Sequence, residues 1–236
     1  MVTSKQVGIQ IIVPLQKEST VPYKTDQSFK SISISEVIAN SITHGIGFGL
    51  SIAGLVVLIV RAVRTGSPWY LASFLVFGIS LILMYLASTS YHIFSRKPWM
   101  AVLQRLDHAA IFFLIAGTYT PFILTHLRTG LGWTVFGVMW GISLLGLLAK
   151  LVFPARFTKP PVLLYLFISW AGLIVFGQAF QEIGTRSVIF LMAGGGFYTL
   201  GILFYLWKKI PYNHAVWHLF VLGGSVMHYF SVLNLA

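Results

Sequence analysis

The apolar positions of this chain gather into seven long runs separated by short polar breaks, at 38–60, 69–94, 106–126, 131–153, 161–181, 187–207 and 212–234. Each is near the roughly 20 mostly apolar residues that a helix needs to cross a bilayer. The breaks carry Gly, Pro, Arg and Lys, as in Arg64-Thr65-Gly66-Ser67-Pro68 and at 156–160. The pattern predicts an all-α, polytopic membrane protein built as a seven-transmembrane helix bundle. The shortest break, Thr129-Gly130, predicts a tight hairpin between the third and fourth spans. Pro121 falls inside the third span, where it is expected to bend the helix. Gly45, Gly47 and Gly49 in the first span and Gly194, Gly195 and Gly196 in the sixth read as sites of close helix approach.

Composition agrees with that pattern. The chain is 57% hydrophobic and 9% charged, where soluble domains carry about 25% charged residues. Its 236 residues suit one compact bundle, with 36–236 as the membrane domain. Residues 1–35 are polar and basic and read as a largely flexible cytosolic tail. The apolar run Val7 to Val13 is closed by Pro14 with no small-residue cleavage site after it, so it is not read as a signal peptide.

The formal charge of +11 reads as a topology signal and not as nucleic-acid affinity, because the basic residues stand singly or in pairs between apolar runs. On the N-terminal side lie twelve: Lys5, Lys17, Lys24, Lys30, Arg96, Lys97, Arg105, Lys150, Arg156, Lys159, Lys208 and Lys209. The opposite side has four: Arg61, Arg64, Arg128 and Arg186. The positive-inside rule then predicts a cytoplasmic N-terminus, a C-terminus outside and a plasma-membrane location. There is no cysteine, so any metal site must be built from nitrogen and oxygen ligands.

With that topology, polar residues from distant spans are expected at one depth on one membrane face. The second span ends there with Ser88 and His92, the third begins there with Asp107 and His108, and the seventh begins with His214 and His218. Residues four apart share a helix face, so His214 and His218 can reach one ion. Ionisable groups inside a membrane are costly and usually functional. Three histidines on Zn2+ leave a fourth position open, as catalytic zinc sites require. His214 and His218, with His92, are candidate metal ligands, the alternative being interfacial histidines bonded to headgroups or carbonyls; Asp107 is a candidate general base or a partner of Arg105 or Lys97, and Ser88 an orienting or hydrogen-bonding group. Ser88 and Tyr91 are the candidate donors to an oxyanion.

The remaining polar residues read as structural. His228 lies ten residues beyond His218, about 15 Å along the helix, and is expected to make an interhelical hydrogen bond. Glu36, Asn40 and His44 form a stripe at four-residue spacing on the first span, supporting the site or lining its entrance. His108 is expected to point away from Asp107, and His126 to lie solvated at the outer interface.

These pieces resemble the haemolysin III proteins of the progestin and adipoQ receptor family, which includes the adiponectin receptors. The matching segments are Glu36-Val-Ile-Ala-Asn40-Ser-Ile-Thr-His44-Gly45, Ser88-Thr-Ser-Tyr-His92, Leu106-Asp107-His108, His214-Ala-Val-Trp-His218 and Val226-Met-His228-Tyr. The resemblance implies seven helices with a cytosolic N-terminus and an intramembrane zinc held by His92, His214 and His218. It also implies that Asp107 contacts the zinc through water and that Ser88 is part of the motif. The implied activity is that of a lipid amidase or ceramidase, linked to membrane-lipid homeostasis. The expected function is thus a zinc-dependent intramembrane hydrolase of a lipid amide or ester, with membrane lipids as substrate or ligand. Two alternatives stay open: a sensor or receptor with structural zinc, and a haemolysin-like cytolytic protein.

Overall fold

The computed structural model describes residues 33–153, 160–175 and 181–236; the expected tail over 1–35 falls outside them except for its last three residues, where Ser33 caps α1 and Ile34 and Ser35 begin it. Seven helices follow in order: α1 (Ile34–Thr65), α2 (Pro68–Ile93), α3 (Met100–His126), α4 (Gly130–Val152), α5 (Val162–Val175), α6 (Thr185–Leu206) and α7 (Asn213–Leu233). Six are long and apolar enough to cross a membrane, and α5 is shorter over its described residues. Among the described residues there is no strand. The fold is a polytopic helical membrane bundle.

Local chemistry sets the helix ends. At the start of α1, the Ser33 hydroxyl accepts from the Glu36 amide at 3.2 Å, while the Glu36 carboxylate accepts from the Ser33 amide at 3.3 Å. This reciprocal cap satisfies two amides that the helix geometry leaves orphaned. Glu36 therefore works as a cap, and only Asn40 and His44 of the expected stripe are buried in the bundle. Gly66, at φ 67°, ends α1 in the left-handed conformation that favours glycine. Pro68 then opens α2 in its first turn, where its missing N–H costs nothing.

The packing order puts α3 in the middle. It touches α2, α4, α5 and α7, while α1 closes against both α2 and α7. Most of α3 from Leu114 to Leu124 is buried. The helix runs continuously through Pro121; the Thr125 hydroxyl there donates to the Pro121 carbonyl at 2.6 Å. Two of the glycines read as packing sites are so used. A methyl on Gly47 would overlap the Tyr85 ring, and one on Gly194 would overlap the His228 ring. The far end of α7 is tied down as well. Arg61 donates to the Ala236 carbonyl at 2.6 Å, and the Tyr70 hydroxyl donates to that of Leu235 at 2.9 Å.

Lys150 departs from the sequence reading. It was counted among the basic residues at the membrane edge, but its side chain is only 1% exposed. Its ammonium lies 3.4 Å from His108 Nδ1, so the long stem turns inward between α4 and α3. His108 itself points away from Asp107, as expected of neighbours on one helix.

Candidate metal centre

Two helix ends bring the expected ligands together. His92 is in the last turn of α2, and His214 and His218 occupy the first two turns of α7. The start of α7 is fixed by Asn213, whose amide donates to the carbonyls of Phe204 and Tyr205 at 3.3 and 3.2 Å. These are carbonyls of the last turn of α6, where intrahelical donors run out. Tyr212 before it adopts the left-handed conformation at φ 55°.

The three imidazoles form a compact group. Ring centroids are 5.1 Å apart for His92 and His214, 4.9 Å for His92 and His218, and 4.5 Å for His214 and His218. One ring nitrogen from each lies within 4.8 Å of the other two. Nitrogens sharing a tetrahedral zinc stand about 3.4 Å apart, so small rotamer adjustments bring all three into bonding range. Buried Nε2 atoms of all three lack any hydrogen-bond partner. An unsatisfied buried polar atom costs about 1–3 kcal/mol. Three such atoms aimed at one point fit a cation with borderline affinity for nitrogen. The triad can hold a metal ion.

Hydrogen-bond polarity at His218 supports the same reading. The Thr43 hydroxyl sits 3.1 Å from His218 Nδ1 and has backbone carbonyl acceptors in Ala39 at 2.9 Å and Asn40 at 3.0 Å. A hydroxyl has one proton to give. With that proton on a carbonyl, Thr43 accepts from His218 Nδ1–H, and Nε2 is left bare as a ligand requires. Thr43→Val is therefore expected to weaken metal affinity by about 10–100-fold, measured by chelator competition. Unchanged affinity would remove Thr43 from the site.

Asp107 and Ser88 meet beside the triad. Ser88 is 1% exposed, and its hydroxyl lies 2.7 Å from His44 Nδ1. Asp107, two turns into α3, interacts with the same hydroxyl. An ionised carboxylate only accepts. Ser88 then donates to Asp107 and accepts from His44 Nδ1–H, which leaves His44 Nε2 bare, buried and without a hydrogen-bond partner. The His44 ring stacks on His218 at 3.5 Å and 16°. Thr43 and His44 are the residues that sequence reasoning undervalued. Their signal was the polar spacing Asn40, Thr43, His44 on a helix that packs against α7.

Other candidates lie elsewhere. The Tyr91 hydroxyl accepts from Gln104 at 3.2 Å, and its ring lies 4.8 Å from that of His92. His228 makes the expected interhelical bond, from Nε2 to the Leu191 carbonyl at 3.2 Å. His126 is half-buried at the far end of α3 with Nδ1 2.7 Å from the Thr125 hydroxyl.

A cavity opens beside the site among α3, α5, α6 and α7. It has His44 and Asp107 at one end and Phe122, Leu127 and Ile183 at the other. From Asp107 to Leu127 along α3 is about 30 Å. Its walls are mostly aliphatic and aromatic.

Comparison with known proteins places these residues in context. A family model described as "Haemolysin-III related" matches residues 32–229. The chain is 43% identical over 200 residues to "Hemolysin-3" of Bacillus cereus, covering 85% of this chain and 91% of that protein. It is 44% identical over 201 residues to "Hemolysin-3 homolog" of Bacillus subtilis (strain 168), covering 85% and 94%. It is also 25% identical over 167 residues to "Monocyte to macrophage differentiation factor" of Homo sapiens, covering 66% and 67%.

Proposed function

The chain belongs to the haemolysin-III-related family, and on that premise we propose that it is a zinc-dependent intramembrane hydrolase of a lipid amide or ester. The observation that carries this reading is three unpartnered imidazole nitrogens linked, through the His44 ring stacked on His218, to the end of a long apolar cavity that Asp107 also lines. His92, His214 and His218 would hold the zinc. When bound, the ion would supply Lewis acidity and make water a usable nucleophile near neutral pH.

The protein's own groups do the rest. Asp107 accepts the proton of the attacking water and passes it to the leaving group as general acid. Ser88, pinned between Asp107 and His44, fixes the carboxylate's direction. The cavity removes the acyl chain from the bilayer and holds its carbonyl against the site, which is how orientation lowers a barrier. Its apolar walls suit a lipid tail.

Purified protein in nanodiscs, incubated with long-chain amide and ester lipids, is expected to release fatty acid detectable by mass spectrometry. Metal without turnover on any lipid class would overturn the hydrolase and favour a sensor with structural zinc. The names of the two Bacillus relatives, both hemolysins, support a second reading, cytolysis. Dye leakage from liposomes without fatty-acid release would favour it.

Topology is part of the proposal: a multi-pass plasma-membrane protein with its N-terminus in the cytoplasm. The twelve-to-four distribution of basic residues supports it. With no native cysteine, single thiols report each side cleanly. A membrane-impermeant maleimide should label Thr65→Cys in intact cells, and Lys97→Cys only after lysis. The reverse pattern would invert the orientation.

A further inference from the structure

Among the side chains that line the mostly apolar cavity about halfway along are Tyr198 of α6 and His228 of α7. His228 lies about 15 Å along α7 from His218. Its Nε2 is 3.2 Å from the Leu191 carbonyl. A carbonyl can only accept, so Nε2 carries the proton and Nδ1 is a bare acceptor. Nδ1 has no hydrogen-bond partner among the described residues.

The ring cannot swing away to find one. Its Cδ2–Nε2 edge lodges against Gly194, where a methyl group would not fit. Nδ1 is on the opposite side of the ring. The Tyr198 ring stands 5.2 Å from it, with its hydroxyl 2.9 Å from that of Ser225. A fixed acceptor is therefore held in the wall of a mostly apolar channel.

The chemistry of that atom limits what can meet it. An acceptor needs a donor, so a double bond or a ketone on the bound chain gains nothing there, while a hydroxyl does. A carbon–carbon bond of about 1.5 Å advances a zigzag chain by about 1.25 Å. About 15 Å along the helix thus corresponds to about 12 bonds from a carbonyl seated beside the triad. We propose that the cavity selects acyl chains carrying a mid-chain hydroxyl, near carbon 12, which donates to His228 Nδ1 beside Tyr198. This rests on the reading of the cavity as the acyl site of the proposed hydrolase.

Binding of stearate, 12-hydroxystearate and 12-oxostearate to the full chain in nanodiscs tests it without requiring turnover. The hydroxy acid is expected to bind about tenfold more tightly than either of the others. In His228→Leu the ratio of hydroxy acid to stearate should fall to about one. His228→Gln, which restores an acceptor oxygen, should recover part of it.

Equal affinities of the wild type for the three acids would overturn the proposal, even if neither variant folds. So would a ketone that gains as much as the hydroxyl, or a preference that survives in His228→Leu. Failure of all three acids to bind would remove the acyl-site reading together with it. A preserved preference with no fatty-acid release from any lipid would sink the hydrolase alone.

Discussion

Replacing His218 by alanine is expected to empty the metal centre, taking metal content from near one ion per chain to below about a tenth. Four-ligand structural zinc sites reach apparent binding energies of about 10–16 kcal/mol. One ligand is thus on the order of 3 kcal/mol, or at least a hundredfold in affinity. His218 should exceed that average, because it is fully buried and already oriented by Thr43. Elemental analysis of the detergent-purified variant against wild type is the direct measurement.

Thermal unfolding supplies a second readout for the same substitution. A metal that binds only the folded state stabilises it by mass action. The variant should therefore unfold close to chelator-treated wild type, and chelator should shift it no further. The lost ring also leaves His44 without its stacking partner, so the variant should fall somewhat below that mark. Full metal content in His218→Ala would place the ion elsewhere and remove the foundation of the proposed function.

The parts of this protein that were legible in its sequence are those that bulk hydrophobicity determines. Helix existence follows from the length of an apolar run, and the seven runs returned as α1 to α7 with ends shifted by a few residues. The meeting of His92 with His214 and His218 was legible for a related reason. Their helices end or begin on the same face, so depth alone brings them close.

Rotation about a helix axis was not legible. Whether Thr43 or Ser41 faces α7 depends on side-chain packing between α1 and α7, and both are polar and within a turn of Asn40. In the fold Ser41 bonds back to the Val37 carbonyl at 2.8 Å, whereas Thr43 reaches His218. Lys150 failed for the opposite reason. A charge count treats every lysine as solvated, but a long apolar stem lets the ammonium end beside His108 inside the bundle. Tyr91 precedes His92 in sequence but faces α3 and Gln104, because neighbours on a helix point about 100° apart.

Asp107→Asn is expected to lower fatty-acid release by about 10²–10⁴-fold while the protein keeps its metal. The amide has the carboxylate's shape, and its oxygen still accepts from Ser88, so the hydrogen-bonded run to His44 survives. What it lacks is a lone pair basic enough to take a proton from water. The three metal ligands come from α2 and α7, so an isosteric change on α3 leaves them in place. Ser88→Ala should cost less, since it frees the direction of the carboxylate without removing the base. Metal lost from Asp107→Asn would make the aspartate a ligand and not a base. Undiminished turnover with metal retained would mean that the proton leaves by another route, for which the bare Nε2 of His44 offers an acceptor.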